Sequence, residues 1–421
     1  MTILEKDSKH LWHPLTQHQT ARNPIVIIRA KGAVMYDDAG NEYIDGIASW
    51  YTAMYGHGNE YITSAMHKQM QQLDFVMFSG FTHPPAVTLA EKLVEILPGN
   101  QEKVFFNDNG STAVEAAIKM SLQYYHNKGD KRDTLIAFEN GFHGDTFGAM
   151  SASGLSSYNG PFEDFLLKVE RIPTPQDDNL DEVMAMLEGI LVSNKCAAFI
   201  FEPLVQGAAG MKFHSVAGLD ALVKKCREAN VLTIADEIMT GFGKTGTVFA
   251  CDQLDNKPDI MCLSKALTAG MFPLSITSCT QEIFEGFLSE EVHKGFFHAH
   301  TFSAHPVGCA AAIAGIEVLQ TEEITKSRER INAAHTAFAQ TVKAHHKVNS
   351  VRVKGVVIAI DLTIEMARYG NLRDELYQFF MQRGVALRPL GNTIYVLPPY
   401  VITDEELAKV YSAIQEALDH F

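Results

Sequence analysis

The sequence predicts an α/β protein built on a mostly parallel sheet with helices on both faces. Three observations predict it. Short apolar runs alternate with helical periodicity from about residue 103 to residue 279, the pattern of a parallel sheet with crossover helices. Two of these runs, 231–235 and 260–263, are continuously apolar, as expected of strands buried on both sides. Each is followed by charged side chains: Asp236 and Glu237 after the first, Ser264-Lys265-Ala266 after the second. Open α/β sheets bind ligands at the C-terminal ends of their strands. Asp236 and Lys265 are therefore expected at one edge of one sheet.

The elements follow in order. Loose alternation over residues 24–45, around Asp38-Ala39-Gly40-Asn41, reads as small antiparallel hairpins. Helical periodicity covers about 61–73 and 86–97. Strand and helix then alternate: strands at 103–107, 134–138 and 197–201, with helices at 111–125, 181–191 and 217–229. The runs at 231–235 and 260–263 follow, then a strand at 275–279. Past Pro306 the pattern changes. Helices at about 306–319, in the charged stretch after it, at 371–383 and at 404–418 accompany strands at 351–361, 385–388 and 394–397. This reads as a smaller α+β domain. The expected division is 1–47 as an N-terminal segment of the small domain, 48–315 as the large domain and 316–421 as the rest of the small one.

Composition excludes several classes. The chain has 421 residues, 46% hydrophobic and 20% charged, with a net charge of −15. That balance opposes nucleic-acid binding, which needs a basic footprint. No apolar run is long enough to span a bilayer, so no membrane partner is expected. The N-terminus carries no leader pattern, and the expected location is the cytoplasm. The six cysteines form no CxxC pair and read as buried, reduced thiols. The histidines show no zinc-binding pattern, and no catalytic metal is expected.

An acid and an amine at one sheet edge suit pyridoxal phosphate. That cofactor takes an amine as a Schiff base and a carboxylate at its ring nitrogen. The bland alternative is a surface lysine and a capping aspartate. Gly110-Ser111-Thr112 opens a helix after a strand, which suits either a phosphate cradle or an ordinary cap. Gly141-Phe142-His143-Gly144 also follows a strand, and an aromatic there can cover a cofactor ring. Ile238 suits the other ring face or the core. Glu202 suits a hydrogen bond near the cofactor, a gate on the substrate, or a structural ion pair. His298 and His300 flank Ala299 without a third metal ligand nearby in sequence, and Thr301 is read as a phosphate donor. Arg388 offers a planar fork for a carboxylate or for a surface salt bridge. Trp50, Tyr51 and Tyr55 suit core or substrate wall.

Together these motifs resemble the class III, fold-type I aminotransferases over essentially the whole chain. The segments that carry the resemblance include ASWYTAMYGH, FNDNGSTAVEAAIKMSLQYY, NGFHGDTFGAMS, FEPLVQGAAGM, the stretch around Lys265 and LRPLGNTIYVLPPY. HLWHPLTQ, GDTFGAMS and the segment from Arg388-Pro389 to LPPY point to the branch that serves biotin synthesis. The resemblance implies a seven-stranded-type sheet and a homodimer with shared sites. It implies that 8-amino-7-oxononanoate is aminated with S-adenosylmethionine as donor. By it Lys265 is the Schiff-base and proton-shuttling lysine, and Asp236 pairs with the ring nitrogen. Gly110, Ser111 and the partner-supplied Thr301 hold phosphate, and Phe142 and Ile238 flank the ring. Trp50, Phe142, Lys265, Ala299, Arg388 and Tyr395 line the substrate. Three positions depart from familiar members: Leu15 and Phe142 replace tyrosines, and Tyr51 replaces a second tryptophan. The lost hydroxyls leave lysine open as donor. Transaminases of ω-amino acids, ornithine or 4-aminobutyrate are the enzymatic alternatives, and a cofactor-free binding protein on the same fold is the other.

Overall fold

The structure is a computed structural model that describes residues 1–154, 159–364 and 370–421. The N-terminal strands are β1 (Ile27–Lys31), β2 (Val34–Asp37) and β3 (Glu42–Asp45), paired antiparallel as the alternation implied. Between β3 and the helix Glu60–Gln72, residues 48–51 all have positive φ, a left-handed turn that nothing in the sequence signals.

The central sheet uses β4 (Gln101–Asn107), β5 (Thr134–Phe138), β6 (Val169–Ile172) and β7 (Cys196–Phe201). A short hairpin of β8 (Val205–Gln206) and β9 (Lys212–Phe213) lies outside it. β10 (Leu232–Asp236), β11 (Ile260–Leu263) and β12 (Ser275–Thr280) complete it, in the order β4-β12-β11-β10-β7-β5-β6. β12 runs antiparallel to both neighbours, and the remaining pairs are parallel. Every residue of β5, β7, β10 and β11 is buried, which is why those strands read as unbroken apolar runs. β6 was not legible. It lies at the sheet's edge, where Glu170 and Arg171 are tolerated because one side meets solvent.

Helices cover both faces. Gly110–Asn127 is capped by Asn109, whose side chain accepts from the Thr112 amide at 3.1 Å. Pro306–Leu319 begins at a proline, where the missing N–H costs nothing, and packs on Glu60–Gln72 and Pro84–Ile96. An N-terminal helix, Ile3–His10, was also not anticipated. It has no buried residue, so it leaves no apolar stripe in the sequence.

The C-terminal part adds a three-stranded antiparallel sheet of β13 (Val348–Lys354), β14 (Val357–Leu362) and β16 (Thr393–Val396). Between the last two lies β15 (Val385–Ala386), which pairs in parallel with β3 and so ties the chain's two ends into one sheet. The strand expected over 385–388 stops at Ala386, leaving Arg388 outside regular pairing. The helices Asn371–Gln382 and Asp404–His420 lie close to the expected bounds. Among the described residues no helix is long and apolar enough to cross a membrane.

All six cysteines are free and buried, and burial pushes every thiol up. The native protein should therefore show almost no reaction with a thiol reagent near neutral pH, and six reactive thiols once denatured. Rapid labelling of even one cysteine in the native state would contradict the packing.

Candidate active site

Register brings the site together. Ala235 of β10 pairs with Phe201 of β7, so the next residues, Asp236 and Glu202, stand level on adjacent strand ends. Asp236 itself pairs with Cys262 of β11, and the chain reaches Lys265 three residues on. The acid and the amine thus leave neighbouring strands at the same edge. Their charges act on each other: burial lowers the Lys265 pKa, while Asp236 and then Glu202 raise it. Lys265 is only partly buried and adopts a left-handed backbone, φ 43°.

Asp236 is 3% exposed. Its Oδ2 lies 2.7 Å from His143 Nδ1, and its Oδ1 accepts from the Ile238 amide at 3.1 Å. The sequence alone assigns no role to His143. Its only sequence signal is a place next to glycine after a strand, and its other ring nitrogen, Nε2, is buried without a partner among the described residues. Glu202 is buried too. It accepts from the amides of Phe142 and Gly207, both at 2.9 Å. Burial raises its pKa to about 7, with His143 opposing and Asp236 adding to the rise. Among the described residues Glu202 forms no salt bridge. Its oxygens serve backbone amides.

The first turn of the helix Gly110–Asn127 stands over the same edge. Asn109 is its cap, so Gly110 and Ser111 occupy the first two helical positions, whose amides lack intrahelical acceptors. Ser111 Oγ accepts from the Asp145 amide at 3.2 Å. The 141–146 loop comes so near that a Cβ on Gly144 (φ +134°) would sit 2.1 Å from Ser111 Oγ. A Cβ on Gly110 would lie 3.1 Å from two atoms of Ile238. Two glycines thus let the loop and Ile238 approach the helix start closely. Phe142, at 41% exposure, stands free on that loop. These groups fit pyridoxal phosphate. The helix start offers amides to phosphate, and the buried acid Asp236 can serve the ring nitrogen. Phe142 and Ile238 are apolar cover, and Lys265 is the amine.

A further group comes from the C-terminal part. Arg388 Cζ lies 5.0 Å from the Trp50 ring centre. No carboxylate lies within salt-bridge distance of Arg388 among the described residues, so the surface salt bridge considered for it is absent. Tyr395 is buried, and its hydroxyl is 3.0 Å from that of Tyr51. Lys265 Nζ lies 5.6 Å from the Tyr51 ring centre.

Ala299 and Thr301 are exposed on the loop before the helix Pro306–Leu319. His298 and His300 face each other, Nε2 to Nε2 at 3.2 Å, with Lys119 Nζ 3.0 Å from His298. No cluster of three or more metal-binding side chains occurs among the described residues.

Two buried groups that the sequence did not single out as functional brace the Gly-rich loop. Glu237 accepts from the Cys251 amide and Thr240 Oγ1, and Lys244 Nζ donates to the Gly241 carbonyl at 2.9 Å.

Comparison with known proteins agrees with this geometry. The sequence model of the class III aminotransferases matches residues 16–418. Adenosylmethionine-8-amino-7-oxononanoate aminotransferase of Synechococcus elongatus is 43% identical over 420 residues, covering 97% of this chain and 98% of that one. The protein of the same name from Staphylococcus aureus is 33% identical over 438 residues, covering 99% and 97%. Among solved structures, the adenosylmethionine-8-amino-7-oxononanoate aminotransferase of Methanocaldococcus jannaschii superposes with a TM-score of 0.94 at 32% identity, over 99% and 98% of the chains. An omega transaminase from Pseudomonas jessenii in complex with PMP superposes at 0.91 with 27% identity, over 100% and 98%. This chain belongs to the class III aminotransferases, the pyridoxal-phosphate-dependent enzymes of fold type I.

Proposed function

We propose that this enzyme converts 8-amino-7-oxononanoate to 7,8-diaminononanoate in biotin synthesis, with S-adenosylmethionine as amino donor. The observation that carries the reading is an amine and a buried acid on neighbouring strand ends, with an arginine over Trp50 that has no acid partner among the described residues. The first two suit amino transfer, and the third suits a substrate with a carboxylate. Likeness over the full length to relatives named for that reaction narrows the substrate. Lysine as donor is the second reading, because Leu15 and Phe142 lack the hydroxyls familiar members carry. We take the active unit to be a cytoplasmic homodimer, in which the exposed Thr301 and Ala299 would complete the partner's site. We also take the domains to divide at residues 47 and 315.

Pyridoxal phosphate, when bound, supplies an electron-withdrawing ring that stabilises negative charge on the substrate carbon undergoing exchange. The residues do the rest. Gly110 and Ser111 would hold the phosphate, Asp236 would keep the ring nitrogen protonated, and Phe142 and Ile238 would cover the ring faces. His143 fixes the orientation of Asp236 and shares its charge. Lys265 Nζ, made easier to deprotonate by burial, takes the proton from the substrate carbon and returns it on the far side of the exchange. Trp50 walls the pocket, Arg388 anchors the substrate carboxylate, and Tyr395 lies beside it. Glu202 does not touch the ring in this scheme. It pins the Phe142 loop to Gly207 through two amides.

Lys265→Ala should abolish turnover, lowering kcat by at least about 10⁴-fold, and should remove the absorbance of lysine-bound cofactor. Turnover at the parent rate would sink the assignment. A donor screen with S-adenosylmethionine, lysine, ornithine and β-alanine should bleach the cofactor band with the first. Bleaching by ornithine or β-alanine alone would overturn the substrate reading. Glu202 gives a stability test on cofactor-stripped protein. Its folded pKa, about 7, lies above the ordinary 4.5, so the folded state holds the proton more tightly. That stabilisation is full below about pH 4.5 and disappears as pH rises through about 7. Relative to Glu202→Gln, which stays neutral, the parent should lose on the order of 3 kcal/mol across that window. Parallel denaturation midpoints at pH 5 and pH 8 would contradict it.

A further inference from the structure

Residues 48–51, Ala-Ser-Trp-Tyr, have φ of 47°, 45°, 69° and 71°. None is glycine, and a left-handed turn costs an L-residue roughly 1–2 kcal/mol per position. Such a turn persists only where its surroundings over-determine it. Here they do. Ser49 Oγ donates to Asp45 Oδ2 at 2.7 Å, and His57 Nε2 lies 2.9 Å from the same oxygen. A Cβ on Gly270, just past the Lys265 turn, would strike Thr52 at 2.8 Å, so the two turns are in close contact. The strained backbone delivers two consecutive side chains to the site. Trp50 lies against Arg388, and Tyr51 reaches Tyr395.

The two phenols pose a proton-counting problem. Tyr51 and Tyr395 are 4% and 2% exposed, and burial pushes both pKa values up, Tyr395 to about 12. Both stay neutral at working pH. Two hydroxyls carry two protons, and the 3.0 Å bond between them uses one. The second has no acceptor among the described residues. Leaving a buried donor unpaired costs about 1–3 kcal/mol, and an acceptor oxygen brought by a ligand would satisfy it. The charges that act on this pair are Glu202 and Arg388 on Tyr51, and Arg388 and Asp45 on Tyr395. Arg388 likewise has no acid partner among the described residues.

We propose that Tyr51 is a specificity-determining positioning residue: by donating to Tyr395 Oη it turns the remaining phenol proton toward a carboxylate oxygen of the substrate bound at Arg388. A carboxylate only accepts hydrogen bonds, so it satisfies the guanidinium and the orphan phenol together. A methyl or ammonium group at the same place satisfies neither. The assignment rests on the reading of the substrate as a carboxylic acid. It adds that selection for the acid is shared between Arg388 and a phenol pair whose direction Tyr51 sets.

The test uses holoenzyme and two ligands: 8-amino-7-oxononanoate, and the same chain with a methyl group replacing the carboxylate. Binding is read from the cofactor spectrum, and KM and kcat from turnover. Tyr51→Phe keeps the ring and removes the hydroxyl. It should raise KM and the dissociation constant for the acid roughly tenfold, leave kcat within about twofold, and leave the methyl analogue unaffected. Tyr395→Phe should do at least as much, and the double variant should be no worse than Tyr395→Phe alone, because one bond couples the two. Equal losses for both ligands, or additive losses in the double variant, would overturn the proposal. Tyr51→Trp serves as a second ring-bearing variant if Tyr51→Phe fails to retain cofactor. Should the parent enzyme ignore 8-amino-7-oxononanoate, the substrate reading fails. An accepted amino acid and its decarboxylated amine then put the phenol pair to the same comparison.

Discussion

Three ionisable groups gathered at one sheet edge, two of them buried, constrain the rest of the structure. Asp236, Glu202 and Lys265 leave adjacent parallel strands, where any one alone would be costly to bury. They are tolerated because they offset one another. Asp236 has His143 and a backbone amide, Glu202 has two amides and holds its proton to about pH 7, and Lys265 has both acids nearby. Parallel register produces this proximity, since it aligns strand ends that are far apart in sequence. Hence β7, β10 and β11 are wholly buried: a sheet wet on one face would let water screen the charges that make Lys265 a usable base.

How much of this the sequence discloses depends on whether a residue's partner is local. The buried strands were legible because double burial imposes a continuous apolar run, and Asp236 and Lys265 because each follows such a run directly. Gly110 and Ser111 were legible as a helix start, although Asn109 proved to be the cap. What escaped reading depends on distant contacts. The Tyr51–Tyr395 bond spans 344 positions. His143 matters because it meets Asp236, 93 residues on. The left-handed turn at 48–51 has no glycine to announce it, because its conformation is imposed by Asp45, His57 and Tyr395 and not by local preference. Edge strand β6 and the exposed N-terminal helix were missed for the opposite reason: solvent relaxes the pattern that burial would enforce.

The two ends of the chain act on the site as one body. β15 pairs with β3, so the segment carrying Arg388 is fixed to the strand that leads into the left-handed turn. A second link lies farther out. Arg352 on β13 donates to the carbonyls of Gly210 and Met211 in the loop after Glu202, and also pairs with Asp361, which accepts from Thr393. The sheet that bears Tyr395 is thereby held against the loop whose glycine amide binds Glu202. Trp50, Tyr51, Arg388 and Tyr395 are placed by contacts between layers, whereas Lys265 and Asp236 are placed within a single sheet.

That division has a chemical consequence. Asp236 and Lys265 follow directly from wholly buried strands, where close packing leaves little room for displacement. Trp50, Tyr51, Arg388 and Tyr395 are held by a hydrogen bond and a cation–π contact between layers. On the proposed reading, substituting one of these would alter what binds without disturbing the acid and the amine. Omega transaminases share this class III architecture at 26–28% identity, and the proposed reading divides it into an edge that carries the acid and the amine and a seam between layers that would meet the substrate. In this chain the seam contains a tyrosine, Tyr51, where familiar members carry tryptophan. A phenol there brings a hydrogen-bond donor to within 3.0 Å of Tyr395, whereas an indole would offer only a single N–H at a different reach and angle. The exchange therefore changes which groups this seam can satisfy, while Asp236 and Lys265 keep their own contacts.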